Sequence, residues 1–421
     1  YYMVGQRVFT NSFDPNIYRD ILNQKVRLGE SLPPKYNPKH LDCLMHPEKY
    51  GAVFQAEECM ECADAYERAC QNSCIFDAIQ EDADGRLVIR LDKCVGCSAC
   101  IDACKTEKLV ASKDVLPAMK AVREKKGKAY ILIAPAFLGQ FQKEVTPGKL
   151  RTAFRTLGFD GMIEVALFAD LLTMKEGLEF DNKIQTEKDF QLTSCCCPIW
   201  IAMIRNIYHR LLPHVPGAVS PMIAAGRVVK RLSPDALTVF VGPCIAKKSE
   251  AREPDVADAV DYVLTFQEVQ DIFEAAEIDL ENLQEESKEH SSGAGRMYAR
   301  TGGVSEAVQK TVRQLRPESN IQVESEQAEG VRECRALLKR LEKGETTANF
   351  FEGMGCVGGC VGGPKAILPM EIGRERVEEY VEHAYYQTPL ENPYVMKLMA
   401  QLGFEDVEAL LEEQSLFVRE F

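Results

Sequence analysis

The chain has 421 residues, 46% of them hydrophobic, enough to bury a sizeable core and to form two or three domains rather than one. Lys and Arg number 50 against 64 Asp and Glu, and the formal net charge of −14 disfavours nucleic acid or an anionic membrane as partner. No apolar stretch approaches the ~18 residues a spanning helix needs, and the first residues show no basic, apolar and small-residue export pattern, so a cytoplasmic protein is expected.

In chain order, residues 1–42 carry scattered Pro, Asn and Lys with little periodicity and read as an extended leader. Residues 43–113 hold a dense run of cysteines. Cys94, Cys97, Cys100 and Cys104 follow C-x2-C-x2-C-x3-C, in which a short loop supplies three ligands to one iron–sulfur cube and lends its fourth to another. Cys59, Cys62, Cys70 and Cys74 repeat the pattern, lengthened by five residues between the second and third members. The crossover rule then gives one [4Fe–4S] cluster Cys59, Cys62, Cys70 and Cys104, and the other Cys94, Cys97, Cys100 and Cys74. A zinc ribbon built on two CxxC pairs leaves Cys70, Cys74, Cys100 and Cys104 unexplained. Cys43 and His46 form a further C-x2-H pair, which is too small to complete a site.

From 114 to 370 a charged helical connector (Asp114 to Lys128) leads into apolar strand runs alternating with helical periods, at Gly148 to Leu157, Met222 to Leu232 and Phe266 to Ala275. This alternation predicts an α/β fold. Asp279 to Ser292 is charge-rich and reads as an insertion or surface loop. Residues 371–421 alternate apolar and acidic residues at helical spacing and predict a helical cap.

Three loops within 114–370 carry the chemistry: TSCCCPIW at 193–200, VGPCIAKKSEA at 241–251 and FFEGMGCVGGCVGG at 350–363. Each follows an apolar run of strand character, so their cysteines stand at strand ends, far apart in the chain. Soft thiolates select iron–sulfur or zinc centres, and glycines around Cys356 and Cys360 let backbone N–H groups approach bridging sulfides, which favours iron–sulfur. Three consecutive thiols cannot all reach one iron corner, so at least one of Cys195, Cys196 and Cys197 is unligated.

These loops resemble the three signature motifs of the catalytic domain of [FeFe]-hydrogenases, TSCCCP resembling one branch of that family, and residues 43–113 resemble bacterial two-cluster ferredoxins. The ferredoxin likeness departs where Ile75 and Lys105 replace the usual proline. The resemblance implies an α/β (α+β) catalytic domain with its site in a cleft between two lobes, preceded by a small two-[4Fe–4S] ferredoxin-like domain. It implies an H-cluster, a [4Fe–4S] cube bridged to a two-iron subsite carrying carbon monoxide, cyanide and a bridging dithiolate. Its cube ligands would be Cys197, Cys244, Cys356 and Cys360, with Cys360 the bridge. Lys247 would face a cyanide ligand with Glu250 supporting it, Met354 would flank the diiron unit, and the Pro135-Ala136 segment would donate to the other cyanide. A serine often stands at the place of Ala136. Met222, Gly242 and Tyr298 are further departures, standing where relatives often have Gln, Met and Phe.

Heterolysis of H2 needs a base beside the iron and a route for the proton. The resemblance gives the base as Cys196, or Cys195 if the count starts from Thr193-Ser194, and Cys196 is preferred. FADLLTMKEGLEF at 168–180 is similar to the family's proton-channel helix and gives Glu176 and Glu179 that role. The serine that usually links them aligns near Pro216, which cannot relay a proton. The implied reaction is 2H+ + 2e− ⇌ H2, with ferredoxin or a similar small carrier as electron partner and maturation proteins supplying the two-iron subsite. Two alternatives stand beside it: a non-catalytic iron–sulfur assembly protein resembling the prelamin-recognition-factor family, whose members lack the extra thiol, and an H2-sensing member with slow turnover.

Overall fold

A quasi-repeat occupies residues 53–111. Strands β1 (Val53–Gln55), β2 (Ile79–Glu81), β3 (Leu87–Ile89) and β4 (Leu109–Ala111) form two antiparallel pairs, β1 with β4 and β2 with β3. Helix α1 (Ala69–Ser73) stops at Cys74 and α2 (Ala99–Ala103) at Cys104, both with extended backbone (φ −85°, ψ 99° and φ −78°, ψ 100°). Three residues further on, Asp77 and Glu107 adopt φ of 52° and 53°, and the next strand begins. Helix α3 (Val115–Glu124) buries Val115, Leu116, Met119 and Val122 and is the expected connector.

The computed structural model describes residues 42–43, 45–55, 68–186, 188–193, 196–286, 288 and 290–421, with the backbone of an antiparallel strand pair, Tyr2–Val4 against Arg7–Phe9. Most of the expected leader, and Cys59, Cys62 and Cys195, lie outside the described residues.

Beyond α3 the chain alternates strands and helices: β5 (Ala129–Ile133), α4 (Pro147–Thr156), β6 (Gly161–Glu164), α5 (Ala166–Lys183), β7 (Gln191–Leu192), α6 (Pro198–Asn206), α7 (Pro221–Leu232), β8 (Leu237–Gly242), α8 (Ala246–Glu250), β9 (Tyr262–Thr265) and α9 (Phe266–Ala275). There follow α10 (Gly293–Arg296), α11 (Gly303–Leu315), β10 (Ser325–Glu329), α12 (Gly330–Glu342), β11 (Phe350–Met354), α13 (Met370–Glu382), α14 (Pro393–Leu402) and α15 (Ala409–Glu412). The strands make two parallel sheets, one in the order β9-β8-β5-β6 and the other β10-β11-β7. Near-continuous burial along β5, β8 and β11 fits parallel strands covered on their faces by helices. Side-chain caps begin several helices; Thr265 and Glu268 close a reciprocal capping box on α9.

The two sheets define two lobes, and the C-terminal strand ends converge. β8 runs into Cys244, β7 into Cys197, and β11 into Cys356 and Cys360, so one lobe supplies three cysteines and the other one. This is the place where open parallel sheets carry their sites.

The tail is helical over α13, α14 and α15, and its last residues leave the helix. After α15 the Glu413 carboxylate accepts from the N–H groups of Ser415 (2.6 Å), Leu416 (2.6 Å) and Phe417 (2.8 Å), diverting the backbone out of a helix. Phe417 is then fully buried and Val418 bridges Ala218. The 279–292 segment is largely irregular, as expected, but it ends buried, with Ser291 and Ser292 inside the molecule.

Candidate metal centre and its surroundings

In the cysteine-rich segment, Cys74 shares a small, mainly apolar cavity with Cys94, Cys97 and Cys100, walled by Val53, Phe76, Ile79 and Ile89. The fourth thiol thus comes from the other half of the repeat. Burial pushes Cys94 up to about 11 and Cys100 up to about 12. No disulfide joins the described cysteines. Gly96, at φ 74°, lies in this loop, where a Cβ would stand 3.1 Å from Ser249 Oγ and 3.2 Å from Ala246 Cα, so the loop is seated directly on α8.

At the strand ends, Cys356 lies within electrostatic reach of Cys244, Cys197 and Cys360, and also of Cys97 from the first cavity. Cys360 in turn senses Cys244 and Cys197. The structure therefore brings Cys197, Cys244, Cys356 and Cys360 together. Gly355 N–H donates to Cys197 Sγ at 3.2 Å, and Gly358 and Gly359 both adopt positive φ (78° and 80°) to bend the chain between the last two thiols. Gly353 is required by contact: a Cβ there would lie 2.0 Å from the Trp200 ring.

Among the described residues, no three His, Cys, Asp or Glu side chains close in on a single ion. A tetrahedral zinc at ~2.3 Å from each sulfur would hold thiolates roughly 3.8 Å apart. Burial raises Cys244 to about 11 and Cys360 to about 12. Iron supplies the positive charge that such thiolates otherwise lack, so this donor set fits a cluster.

The surroundings are polar on one side. Lys247 Nζ donates to Glu250 Oε2 at 2.6 Å, and both side chains are buried. Burial works against the charged lysine, but Glu250, Cys244 and Cys360 outweigh it and hold the ammonium above its ordinary range. Met354 is buried at the end of β11. Ala136 is buried and Pro135 half-buried in the turn that follows β5, and Ala134 in that turn abuts Gly242 of β8.

Cys196 lies within reach of Cys197, Glu352, Glu176 and Cys360, and burial holds it as a thiol well above the ordinary range. Glu176 is buried on α5; Glu179, one turn further, is 12% exposed and receives a hydrogen bond from Lys175 Nζ at 2.9 Å. Met222, at the start of α7, is buried, as is Tyr298, whose hydroxyl lies 2.9 Å from that of Thr173.

A family model described as the iron only hydrogenase large subunit, C-terminal domain, matches residues 127–364. The chain belongs to the iron-only hydrogenase family. It is 28% identical to the NADP-reducing hydrogenase subunit HndD of Solidesulfovibrio fructosivorans, over 72% of this chain and 62% of the relative. It is also 28% identical to iron hydrogenase 1 of Clostridium pasteurianum, over 61% of this chain and 54% of that protein. The chain thus spans less than two thirds of the length of these two hydrogenases. Cytosolic iron-sulfur assembly component 3 of Pongo abelii is 26% identical, over 72% of this chain and 77% of its own length. An apo [FeFe]-hydrogenase from Chlamydomonas reinhardtii shares the fold, with a TM-score of 0.62 at 23% identity, covering 73% of this chain and 98% of that one. Among the described residues no helix is long and apolar enough to cross a membrane.

Two groups in this hydrogenase-family domain escape a motif reading. Glu352 stands in mid-strand on β11, accepting from Gly302 N–H (2.8 Å), Ser305 N–H (2.8 Å) and Ser305 Oγ (2.7 Å). Burial raises its carboxyl, those donors opposing. Its signal was available as a lone charge in an otherwise apolar strand run. Cys334, wholly buried on α12, donates its S–H to Met354 O at 3.3 Å and braces the strand that precedes Cys356; nothing in its local sequence marks it.

Proposed function

We propose that this chain carries the catalytic and electron-relay parts of an [FeFe]-hydrogenase, interconverting protons, electrons and H2. The observation that carries the reading is a half-buried thiol, Cys196, beside four converging cysteines and within electrostatic reach of the buried carboxylates Glu352 and Glu176. Cys197, Cys244, Cys356 and Cys360 would hold an H-cluster, which when bound supplies the iron at which H2 is cleaved or formed. The residues do the rest. Lys247, fixed by Glu250, places a cation against the anionic cofactor. Cys196 accepts or returns the proton and passes it to Glu176, and Glu179 at the edge of α5 connects to the exterior. Cys74, Cys94, Cys97 and Cys100 would hold a [4Fe–4S] cluster whose loop rests on α8, handing electrons towards Cys356. Cys59, Cys62, Cys70 and Cys104 would hold a second cluster, which would supply the electron entry point for a small carrier such as a ferredoxin.

A second reading, an iron–sulfur assembly factor without hydrogen chemistry, is favoured by the similarity to cytosolic iron-sulfur assembly component 3. The two part at Cys196, which an assembly role does not need. Anaerobic maturation with the two-iron cofactor followed by infrared spectroscopy decides between them. Carbon monoxide and cyanide stretching bands together with dye-linked H2 evolution are expected; a protein loaded with iron yet silent in both overturns the catalytic reading.

A further inference from the structure

The outer end of the proton route just proposed is held by a buried cation. Lys175 Nζ lies 2.9 Å from Glu179 Oε1, one helical turn along α5, and the two side chains are only 4% and 12% exposed. A lysine with four carbons of reach normally takes its charge to water, so its burial here against one carboxylate is specific. The other oxygen, Glu179 Oε2, is buried without a hydrogen-bond partner among the described residues, as are Gln191 Oε1 and Thr193 Oγ1. Gln191 in turn donates from Nε2 to the backbone oxygen of Glu176 at 3.3 Å, which places its amide beside the stretch between Glu176 and Glu179. Buried polar atoms of this kind are the usual seats of ordered water.

We propose that Lys175 is a positioning residue that pins the Glu179 side chain through a buried ion pair and thereby gates proton passage along α5. A proton leaving Cys196 for the exterior passes Glu176 and must reside briefly on Glu179; one entering makes the same stop in reverse. Passage through Glu179 in either direction must open its 2.9 Å ion pair with Lys175, a contact made by two largely buried side chains. Lys175 then sets the turnover ceiling without touching the cofactor. This inference rests on the hydrogenase reading for its consequence, but the clamp itself can be observed without it.

The test compares infrared spectra of the full chain, reconstituted with iron and sulfide, for wild type, Lys175→Met, Lys175→Arg, Glu179→Gln and the double variant Lys175→Met/Glu179→Gln. The double variant removes both charges, a change buried pairs commonly tolerate, and Lys175→Gln repeats the single substitution if Lys175→Met does not fold. Lys175→Met is expected to gain a protonated-carboxyl stretch that shifts in D2O, absent from wild type and from the double variant, while Lys175→Arg keeps the wild-type spectrum. After maturation, Lys175→Met is expected to turn over several-fold faster than wild type, with Lys175→Arg unchanged. No new carboxyl band in Lys175→Met refutes the clamp. A new band with unaltered turnover refutes the gate. Loss of hydrogen turnover in every matured form, wild type included, overturns the function proposed above and the gate with it, while the band still reports on the clamp.

Discussion

Cys196 and its neighbour Cys197 differ in task although they are adjacent in sequence. Cys197 caps α6 and faces the other three cysteines, whereas Cys196 faces the carboxylates Glu176 and Glu352. Cys196→Ala is therefore expected to leave iron content unchanged and to slow H2 turnover by roughly 10²-fold or more, the scale of a lost proton carrier. Iron analysis beside a turnover assay reads both. Asp170 makes a second residue-scale case, further from the metal. It accepts from Ser292 N–H (2.8 Å) and Ser292 Oγ (2.5 Å), yet burial pushes it up to about 6. Because the folded value lies above the unfolded one of ~3.9, the folded state binds more protons, and the associated stability is full at the lower pH and is lost as pH rises through about 6. The urea midpoint of wild type relative to Asp170→Asn is expected to fall between roughly pH 4 and pH 6.5; a difference that stays flat or rises contradicts the assignment.

At the scale of elements, the junction of β11 and α6 holds the site in register. The Trp200 ring lies against the bare backbone of Gly353, so Gly353→Ala forces strand and helix apart. A loss of about 1 to 3 kcal/mol in urea unfolding is expected, with weakened retention of iron, since Cys197 and Cys356 sit on opposite sides of that contact. The elements also show what is legible in the sequence. Strand ends bearing cysteines stand out because ligation needs thiols and bent backbone together, as at Gly358 and Gly359, and both leave residue-type marks. The Lys247 and Glu250 pair is legible for the same reason: its spacing puts both side chains on one turn beside Cys244. Lys175 and Glu179 have a spacing ordinary for an exposed helix face, and only the packing of α5 reveals that they are buried. The end of the tail misleads because apolar and acidic residues keep a helical period through Glu413, while the decisive event is one carboxylate capturing three amides.

For the whole molecule, the four strand-end cysteines come from two lobes, with only Cys244 on the four-stranded side. A cofactor bound there would cross-link the two lobes. Iron and sulfide reconstitution is expected to raise the thermal midpoint and to slow hydrogen exchange at the loops after β7, β8 and β11 more than in the outer helices α13 and α14. Equal protection everywhere contradicts the cross-linking role. The match to the iron-only hydrogenase family covers 127–364, which includes all three of these loops.

The sharing of Cys74 with Cys94, Cys97 and Cys100 has a consequence for how this chain can be divided. The second arm of the repeat is not self-sufficient, since the sulfur that completes its set, Cys74, stands at the end of the first. Severing the polypeptide anywhere between Cys74 and Cys94 would strand three donors without their fourth, so a fragment that keeps this set of thiols must carry both arms in one piece.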